Sequence, residues 1–445
     1  MAQAAMKLDP KTALFRRDFA ANAADFPGAG LGWLDERRGE AMEAFGATGM
    51  PTRRIEAWKY TDLAAALEGD LEPATPFRGE EPLAPAGPFA SANATEIVLV
   101  NGYLHYIGGA ALSDALDVVD LAQLSVRTPD WVARHLGARA AGLDQVLGAA
   151  SLALMRSGVA VRVRAGAVGL PPLHLRFVNP ARTHALMSHS RVLIVLEEGA
   201  SLELIESHTG GGDMQLLANI GAEIELEAGA KLDHTRLQEE SRHTLHVASA
   251  GVVLAENSRY RALLANLGAR LARVDMNIRL DEPGAEAQLH SVTVEGGESL
   301  ADVTTVMDHA APHTRSRQLF KSVLGGRARS VSQGRVCVRE GAVKSDSHQL
   351  FKALLLAPRA EADAKPELEI FADDVLCGHG TAIGALDETQ LFYLRSRGVP
   401  DSEARTLLVR AFLEDAIEGF AGAAVYDALW ARIGARLDAI AGEKP

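Results

Sequence analysis

The sequence has few cysteines, no long apolar run and no excess of positive charge, and each lack excludes a class of protein. Two cysteines in 445 residues cannot build a disulfide framework. No segment approaches the roughly 20 consecutive apolar residues of a membrane-spanning helix. The opening residues, MAQAAMKLDPKTALFRRDF, lack the apolar stretch and cleavage site of a secretory signal. We therefore expect a soluble, cytoplasmic protein.

The net charge of -13 argues against nucleic acid or an anionic membrane as a general partner, because binding to phosphates needs a concentrated positive field. A G-x-x-x-x-G-K-[ST] phosphate loop is also missing from the sequence. The glycines in CGHGTAIG and GAGLG do not have the G-x-G-x-x-G spacing of a dinucleotide site. Nucleotide chemistry by this chain alone is not indicated.

The most informative feature present is the C-x-H motif formed by Cys377 and His379. A thiolate and an imidazole are both good ligands for transition metals. Gly378 and Gly380 beside them predict a glycine-rich turn that exposes the pair ahead of a helix. Two ligands cannot close a metal site, so the missing ligands of such a site are expected from another chain.

An internal repeat of about 28 residues occupies the middle of the chain. Its marks are corner residues that tolerate a positive φ, with spacings of 30, 28, 27, 29 and 28 residues. Between the corners, apolar and polar residues alternate with a period of two, as in Leu202 to Leu204 and Met276 to Leu280. The corner residues are Gly199, Gly229, Asn257, Gly284, His313 and Gly341.

Short strands at a fixed period predict a parallel β-helix, in which each coil buries its inner face against the next. The alternative is a β-sandwich, whose turns fall every 8 to 12 residues and would not keep this longer register. We therefore predict a mainly β protein with a parallel β-helix core flanked by an N-terminal helical (α+β) domain and a C-terminal helical domain.

The predicted domains cover residues 1–155, 156–384 and 385–445. The N-terminal domain includes a helix over Lys11 to Asn22 and a Pro/Gly-rich linker, EPATPFRGEEPLAPAGPFA. In the C-terminal domain, Asp387 followed by Gln390 is typical of a helix N-terminus. Further apolar stripes after Pro400 predict two more helices, docked on the last coil of the β-helix.

Three blocks of the sequence, Ser345 to Leu356, Ala372 to Gly398 and Pro400 to Phe420, resemble the SufB/SufD family of iron-sulfur cluster assembly proteins. The block PTRRIEAWKYTDL, Pro51 to Leu63, looks like the N-terminal signature of the SufD branch. The resemblance is strong over about the last 100 residues, moderate at the N-terminus, and one of pattern in the coils.

The resemblance implies a right-handed parallel β-helix that pairs with a SufB subunit through its ends, and C-terminal helices that bind the SufC ATPase. It also implies a transient iron-sulfur cluster at the SufB-SufD interface, with a histidine that matches His379 among the ligands and Cys377 beside it. A flavin has been associated with the assembly, but no motif in this sequence marks a flavin site.

Each of these residues also has a structural interpretation. His379 could cap the last coil through a hydrogen bond, and Cys377 could be a small buried side chain. Cys337 shares one face of its strand with Arg335 and Arg339. Either this face is buried, with the thiol as filler, or, as we expect because burial of two arginines is costly, the thiol is exposed between them with a lowered pKa.

Other histidines are weaker candidates. His348 and Asp346 lie two residues apart and form either a metal-binding pair or, as we expect, a hydrogen-bonded structural pair. His243 with His246, and His309 with His313, have loose metal-like spacing, but the expected interpretation is solvent-facing residues of the solenoid. Trp58 and Tyr60 form either an interaction patch or ordinary packing.

The sequence thus predicts a non-catalytic subunit of a SufBCD-type scaffold, with helices Asp387 to Arg397 and Ser402 to Phe420 as the ATPase-docking platform. Strands near Ser330 to Leu356 are expected to pair with the SufB-like partner, or with a second copy of this chain in its absence. The alternatives are a carbohydrate-active β-helix enzyme and a self-sufficient homodimeric scaffold. The expected partner-binding residues are Asp387, Arg395, Arg397 and Phe412.

Overall fold

A computed structural model describes residues 9–78, 87–110, 113–138, 145–180 and 184–442. Part of the predicted linker, residues 79–86, lies outside these ranges. The described chain is mainly β: a parallel β-solenoid of about eight turns is flanked by N- and C-terminal helical regions, which confirms the predicted fold class. Among the described residues, no helix is both long and apolar enough to cross a lipid bilayer.

The N-terminal region contains both helices and short strands. The predicted first helix is present, and the side chain of Asp9 caps it by accepting hydrogen bonds from the backbone N–H groups of Lys11 and Thr12. The elements are α1 Pro10–Asn22, α2 Gly32–Thr48, α3 Leu63–Ala66, β1 Glu72–Pro73, β2 Thr95–Val100, β3 Tyr103–Gly109, β4 Leu116–Asp120, α4 Asp130–His135 and α5 Val146–Ala153.

The solenoid is built from two sheets, and each coil contributes one strand to each sheet. We call them the odd sheet and the even sheet after the strand numbers. The odd sheet contains β5 Ser157–Val163, β7 Leu186–Leu196, β9 Leu216–Leu226, β11 Thr244–Leu254, β13 Leu271–Leu280, β15 Leu300–His309, β17 Arg329–Val338 and β19 Glu361–Ile370. The even sheet contains β6 Leu173–Asn179, β8 Ser201–Gly210, β10 Lys231–Gln238, β12 Arg259–Asn266, β14 Glu286–Glu295, β16 Arg315–Leu324, β18 Asp346–Leu355 and β20 Leu376–Gly384.

The strands stack in register, so equivalent residues of successive coils lie beside one another. Leu232 pairs with Leu202 of the preceding coil and with Tyr260 of the following coil, and all three are buried. Such ladders of inward-facing side chains form the main core. The alternation seen in the sequence is therefore the inner face of the wall.

All six predicted corner residues have a positive φ, from 53° at Asn257 to 82° at Gly341. This left-handed conformation turns the chain sharply after each strand of the odd sheet, and Gly, Asn and His tolerate it better than most residues. The repeat prediction is confirmed at each corner.

The N-terminal helices pack on the outer face of the odd sheet. Phe15, Phe45 and Trp58 are buried together with Leu217 and Leu245 of the sheet. In addition, β2 pairs in parallel with β6, so this region also supplies a strand to the solenoid. The exact domain boundaries stay a prediction.

The C-terminal helices are α6 Glu388–Ser396, α7 Asp401–Ile417 and α8 Ala423–Gly442. The expectation that they dock on the last coil is wrong for α7 and α8, which cover the outer face of the even sheet farther back along the solenoid. Leu413 and Ile433 pack there with Leu263 and Val292. The reason is that several strands of the even sheet carry apolar residues on both faces.

Candidate functional site

Cys377 and His379 lie on β20, the last strand of the even sheet. The predicted glycine-rich turn is therefore wrong: this segment pairs in parallel with β18 from Leu376 to Gly384. Gly378 and Gly380 do not have the positive φ of turn glycines. The C-x-H motif is thus part of the solenoid wall rather than a loop.

The thiol and the imidazole share the inner face of that wall. Cys377 pairs with Ser347 and His379 with Gln349, both of which are buried on the inner face of β18. Among the described residues no strand follows β20, so Cys377 is half-buried and His379 is exposed. The pair therefore faces the open end of the solenoid interior.

Burial raises the pKa of the Cys377 thiol; a backbone hydrogen bond with Ser347 partly opposes this rise, and the Asp346 carboxylate adds to it. The group is consequently a neutral thiol at pH 7 and becomes a thiolate ligand only when a cation approaches. No third His, Cys, Asp or Glu in the described ranges completes a cluster with Cys377 and His379. Within the described residues, this pair alone does not form a metal site.

Gln349, which sequence reasoning missed, lies directly behind His379. Its side chain is 2% exposed, and neither amide atom has a hydrogen-bond partner in the part of the chain that the structure describes. A buried amide without a partner is costly and points to a group that is supplied from elsewhere. The sequence contained one clue: Gln349 alternates with Ser347 and Phe351, so these three side chains lie on the same face of one strand.

This end of the solenoid has unpaired strand edges and several exposed apolar residues. The last strands, β19 and β20, each lack a neighbour on one side among the described strands. Phe371 is 64% exposed and Leu376 is 69% exposed, and Ile370 and Ile383 are also exposed. The strands near Ser330 to Leu356 were expected to be the edge that pairs with a partner. This prediction is wrong by one coil, because β19 and β20 pair with these strands and form the edge instead.

Cys337 was expected to be exposed, and this prediction is wrong. Val336 and Val338 do face inward, but the outward thiol is still buried because residues on the adjoining strands, Asp308 and Glu369, flank it. Burial raises the pKa of the thiol, and those two carboxylates raise it further, which outweighs the neighbouring arginines. Cys337 is therefore not an activated thiol.

His348 and Asp346 form the expected structural pair, with 3.1 Å between Nδ1 and Oδ1. Arg317 also donates to Oδ2 of Asp346 at 2.6 Å, and this hydrogen bond is the main reason that the pKa of Asp346 is lowered. Oδ1 lies next to the His348 ring on the outer face of the even sheet and has no hydrogen bond of good geometry among the described residues. His348 thus points away from Cys377 and His379.

Two of the other histidines are buried, although all four were expected to face solvent. His243 and His313 are exposed, whereas His246 and His309 are buried inside the solenoid. His309 hydrogen-bonds through its two ring nitrogens to Thr314 and Ser316, at 2.8 and 2.9 Å. His246 belongs to a buried polar cluster that includes a glutamate and a second histidine.

At the C-terminal platform, Asp387 caps α6 by accepting hydrogen bonds from Thr389 and Gln390. Arg395 lies 3.3 Å from Asp401, and the guanidinium of Arg397 stacks 5.3 Å from the ring centre of Tyr393.

Phe412 is only partly available at that platform, because it packs beside Lys321 of the even sheet. The exposed apolar residues are instead Phe392 (71%), Tyr393 (57%) and Leu407 (46%).

Trp58 is part of the core rather than an interaction patch. It is 2% exposed, and the guanidinium of Arg273 lies 3.9 Å from its ring centre. The packing interpretation is correct for this residue.

Comparison with known proteins gives two family matches that together span most of the chain. Residues 177–412 match the family described as SUF system FeS cluster assembly, SufBD core domain, and residues 19–173 match the SufBD protein N-terminal region.

Three curated relatives are similar over most of their length. An iron-sulfur cluster assembly SufBD family protein of Synechocystis is 29% identical over 395 residues, which is 86% of this chain and 87% of that protein. The iron-sulfur cluster assembly protein SufD of Escherichia coli is 29% identical over 399 residues, covering 88% and 90% of the two chains. The chloroplastic protein ABCI7 of Arabidopsis thaliana is 28% identical over 408 residues, covering 88% and 84%.

Proposed function

This chain belongs to the SufBD family and functions in iron-sulfur cluster assembly, and we propose that it does so as a non-catalytic, SufD-like subunit that shares a nascent cluster with a SufB-like partner. One observation carries the proposal. Cys377 and His379 lie side by side on the last strand, at the unpaired end of the solenoid, and no third ligand of the described chain joins them.

The open end fits a partner that completes both the sheet and the ligand set. The unpaired edges of β19 and β20 present backbone N–H and C=O groups, and a strand from another chain pairs with such an edge. Exposed Phe371 and Leu376 supply apolar area at the same place. A SufB-like subunit bound there would bring its own thiolates to the cluster, and Gln349 could hydrogen-bond to the bound group.

We further propose that α6 and the start of α7 bind a SufC-like ATPase. The apolar stripes of α7 and α8 are largely used against the even sheet. Phe392, Tyr393 and Leu407 remain as an exposed apolar set, bordered by Arg395 and Arg397. An apolar patch with a charged border is typical of a surface that binds another protein.

The carbohydrate-active alternative is less well supported. A groove of about 440 Å³ on the outer face of the odd sheet is lined by Glu223 and Asp308, among others. However, Glu223 lies 2.8 Å from Arg191 and Asp308 lies 2.8 Å from Arg339. Glycoside hydrolysis needs one acid that can donate a proton and one free base, and acids held by arginines suit neither role.

The experiment is to co-express the chain with SufB-like and SufC-like partners and to measure iron and acid-labile sulfide in the purified complex. His379→Ala should keep the complex but lose most of its cluster, because a ligand is removed without a change to the docking surfaces. His348→Ala is the matched control, since this histidine is one strand away on the outer face. Wild-type cluster content in His379→Ala would refute the shared site. Cluster binding by a pure homodimer would instead favour the self-sufficient scaffold.

A further inference from the structure

A group of charged and polar side chains lies inside the solenoid, where most inward-facing residues are apolar. Glu206 and His208 come from β8, Arg236 from β10, Glu240 from the corner that follows, and His246 from β11. All five side chains are buried. The cluster is far along the chain from Cys377 and His379 and has no role in the site described above.

Three members have the arrangement of metal ligands. His208, Glu240 and His246 each offer one ligand atom, and these atoms all lie within 4.8 Å of one another. Nδ1 of His246 is 2.7 Å from a carboxylate oxygen of Glu240, yet no hydrogen bond to this nitrogen forms among the described residues. The rings of His208 and His246 meet edge to face, 4.8 Å apart.

The carboxylate of Glu240 has two neutral donors. Asn179 donates to one of its oxygens at 2.9 Å, and Gln238 donates to the other at 3.2 Å. Hydrogen bonds to a carboxylate favour its ionised form, which is the form that binds metals.

The charge of the cluster is not balanced by its arginine alone. Glu206 and Glu240 supply two carboxylates, and Arg236 supplies one guanidinium, which donates to Glu206 at 2.9 Å. The Glu240 carboxylate faces two amide donors and the ring of His246 instead of a guanidinium. A bound cation would place a full positive charge beside it.

We propose that His208, Glu240 and His246 bind one divalent first-row transition-metal ion inside the solenoid. Two imidazoles and one carboxylate suit Zn²⁺, Fe²⁺ and Co²⁺ rather than Ca²⁺ or Mg²⁺. If the proposed function is correct, Fe²⁺ is the ion expected in the cell. The site would then hold iron within the same subunit that contributes ligands to the cluster.

Arg236 is the competitor of this ion. It also donates a hydrogen bond to Nε2 of His246. A metal on Nδ1 requires the ring proton on Nε2, where it would oppose the N–H of Arg236. Metal binding therefore breaks this contact, and removal of the guanidinium should strengthen the metal site.

The site lies close to the surface at a corner of the solenoid. Glu240 is followed directly by Ser241, Arg242 and His243, of which the last two are exposed. A cavity of about 30 Å³ borders Glu206 and Arg236. This volume holds about one water molecule next to the charged members of the cluster.

The test is anaerobic titration of the chelator-treated full chain with Co²⁺, followed by visible absorption. The titration uses the double variant Cys377→Ser/His379→Ala as the background protein, so that Co²⁺ cannot bind to the pair at the open end. This test is therefore separate from the test of the proposed function. We expect saturation at one ion per chain, loss of at least tenfold in affinity in Glu240→Gln, and several-fold tighter binding in Arg236→Gln. His309→Asn is the matched control, because His309 is another buried inward-facing histidine with both ring nitrogens paired.

The absence of saturable one-to-one binding in the background protein would overturn the proposal, whether or not Glu240→Gln folds. Unchanged affinity in a folded Glu240→Gln variant, verified by circular dichroism, would also overturn it. If the background protein binds one Co²⁺ ion and His379→Ala loses its cluster in the complex, both sites exist and are independent. If Co²⁺ does not bind, this proposal fails but the proposed cluster site at His379 is unaffected.

Discussion

The two ends of the solenoid are finished in different ways. At the first end, the sheets are continued by the short antiparallel strands β3 and β4, and the Asp117 carboxylate of β4 is paired with Arg162 and Arg164. At the last end, the parallel strands β19 and β20 have ten and nine residues, and exposed Phe371 and Leu376 lie beside them.

We infer the proposed partner surface from this difference. Proteins usually protect sheet edges with short strands and charges, because a long exposed edge pairs with other chains. In the odd sheet both ends follow this rule, because β4 is short and charged and β19 carries Pro366 and five charged residues. In the even sheet β3 is short, although Tyr106 and Ile107 are exposed on it, whereas β20 is longer and has no charged residue. The departure from the rule is therefore at β20. The departure coincides with Cys377 and His379. Under the proposed function, this edge binds the partner that supplies the remaining cluster ligands.

The largest effect is expected where the N-terminal region is fixed to the solenoid. Arg273 is buried and lies 2.5 Å from Asp302, which also accepts a hydrogen bond from Thr61. Asp302→Ala leaves this guanidinium partly uncompensated and should lower the free energy of unfolding by about 3–5 kcal/mol in urea denaturation.

The matched change at the open end is Glu369→Ala on β19. Glu369 pairs loosely with Arg335, at 3.8 Å, and both side chains are well exposed. The expected loss is about 0–1 kcal/mol. Equal losses from the two variants would contradict the contrast between a fixed region and an open one.

A smaller loss of stability is expected at acid pH, through His309 in the interior of the solenoid. Burial lowers the pKa of His309 from 6.5 to about 4, although Asp308 and Asp346 act against this. Between pH 6.5 and about 4, this histidine is therefore protonated in the unfolded chain but neutral in the folded chain. Stability from this residue is present above pH 6.5 and is lost as the pH falls toward 4, by at most about 3 kcal/mol.

The measurement is the free energy of unfolding at several pH values between 7 and 4. His309→Asn should give a shallower decline than the wild type over this range. Parallel curves for the two proteins would show that His309 is not the group that titrates.

The smallest effect on stability, but a clear one on binding, is expected from Leu376→Asp at the open edge. Leu376 is 69% exposed, so the stability of the isolated chain should change by less than about 0.5 kcal/mol. Affinity for the SufB-like partner, measured by biolayer interferometry, should fall at least tenfold because a charge is buried in the interface. Val168→Asp near the first end is the control, since Val168 is 66% exposed. Equal affinity in the two variants would remove the open end from the interface.

Much of the fold could be predicted because its rules are local. A corner with a positive φ limits the residue type, so Asn257 and His313 could replace glycine without hiding the repeat. Likewise, Asp387 caps α6 through hydrogen bonds to residues two and three positions later. Such signals need no knowledge of distant contacts.

The features that were missed depend on which strands become neighbours. Cys337 faces outward as predicted, but it is buried because residues of two other coils lie beside it. His208 and His246 are 38 positions apart in the sequence and meet only when the coils stack. One clue was available: Glu206 and Arg236 are 30 residues apart, the spacing of the first two corners, and they pair directly.

The most direct test of the shared cluster is pulsed electron-nuclear double resonance on the reduced cluster in the complex. Only this chain would be labelled with ¹⁵N-histidine, so a ¹⁵N coupling can come only from its own imidazoles. We predict a directly coordinated ¹⁵N nucleus in the wild type, its loss in His379→Cys, and its retention in His348→Ala. A cluster with no ¹⁵N coupling, or one whose coupling survives in His379→Cys, would contradict the assignment of His379 as a ligand at the open end.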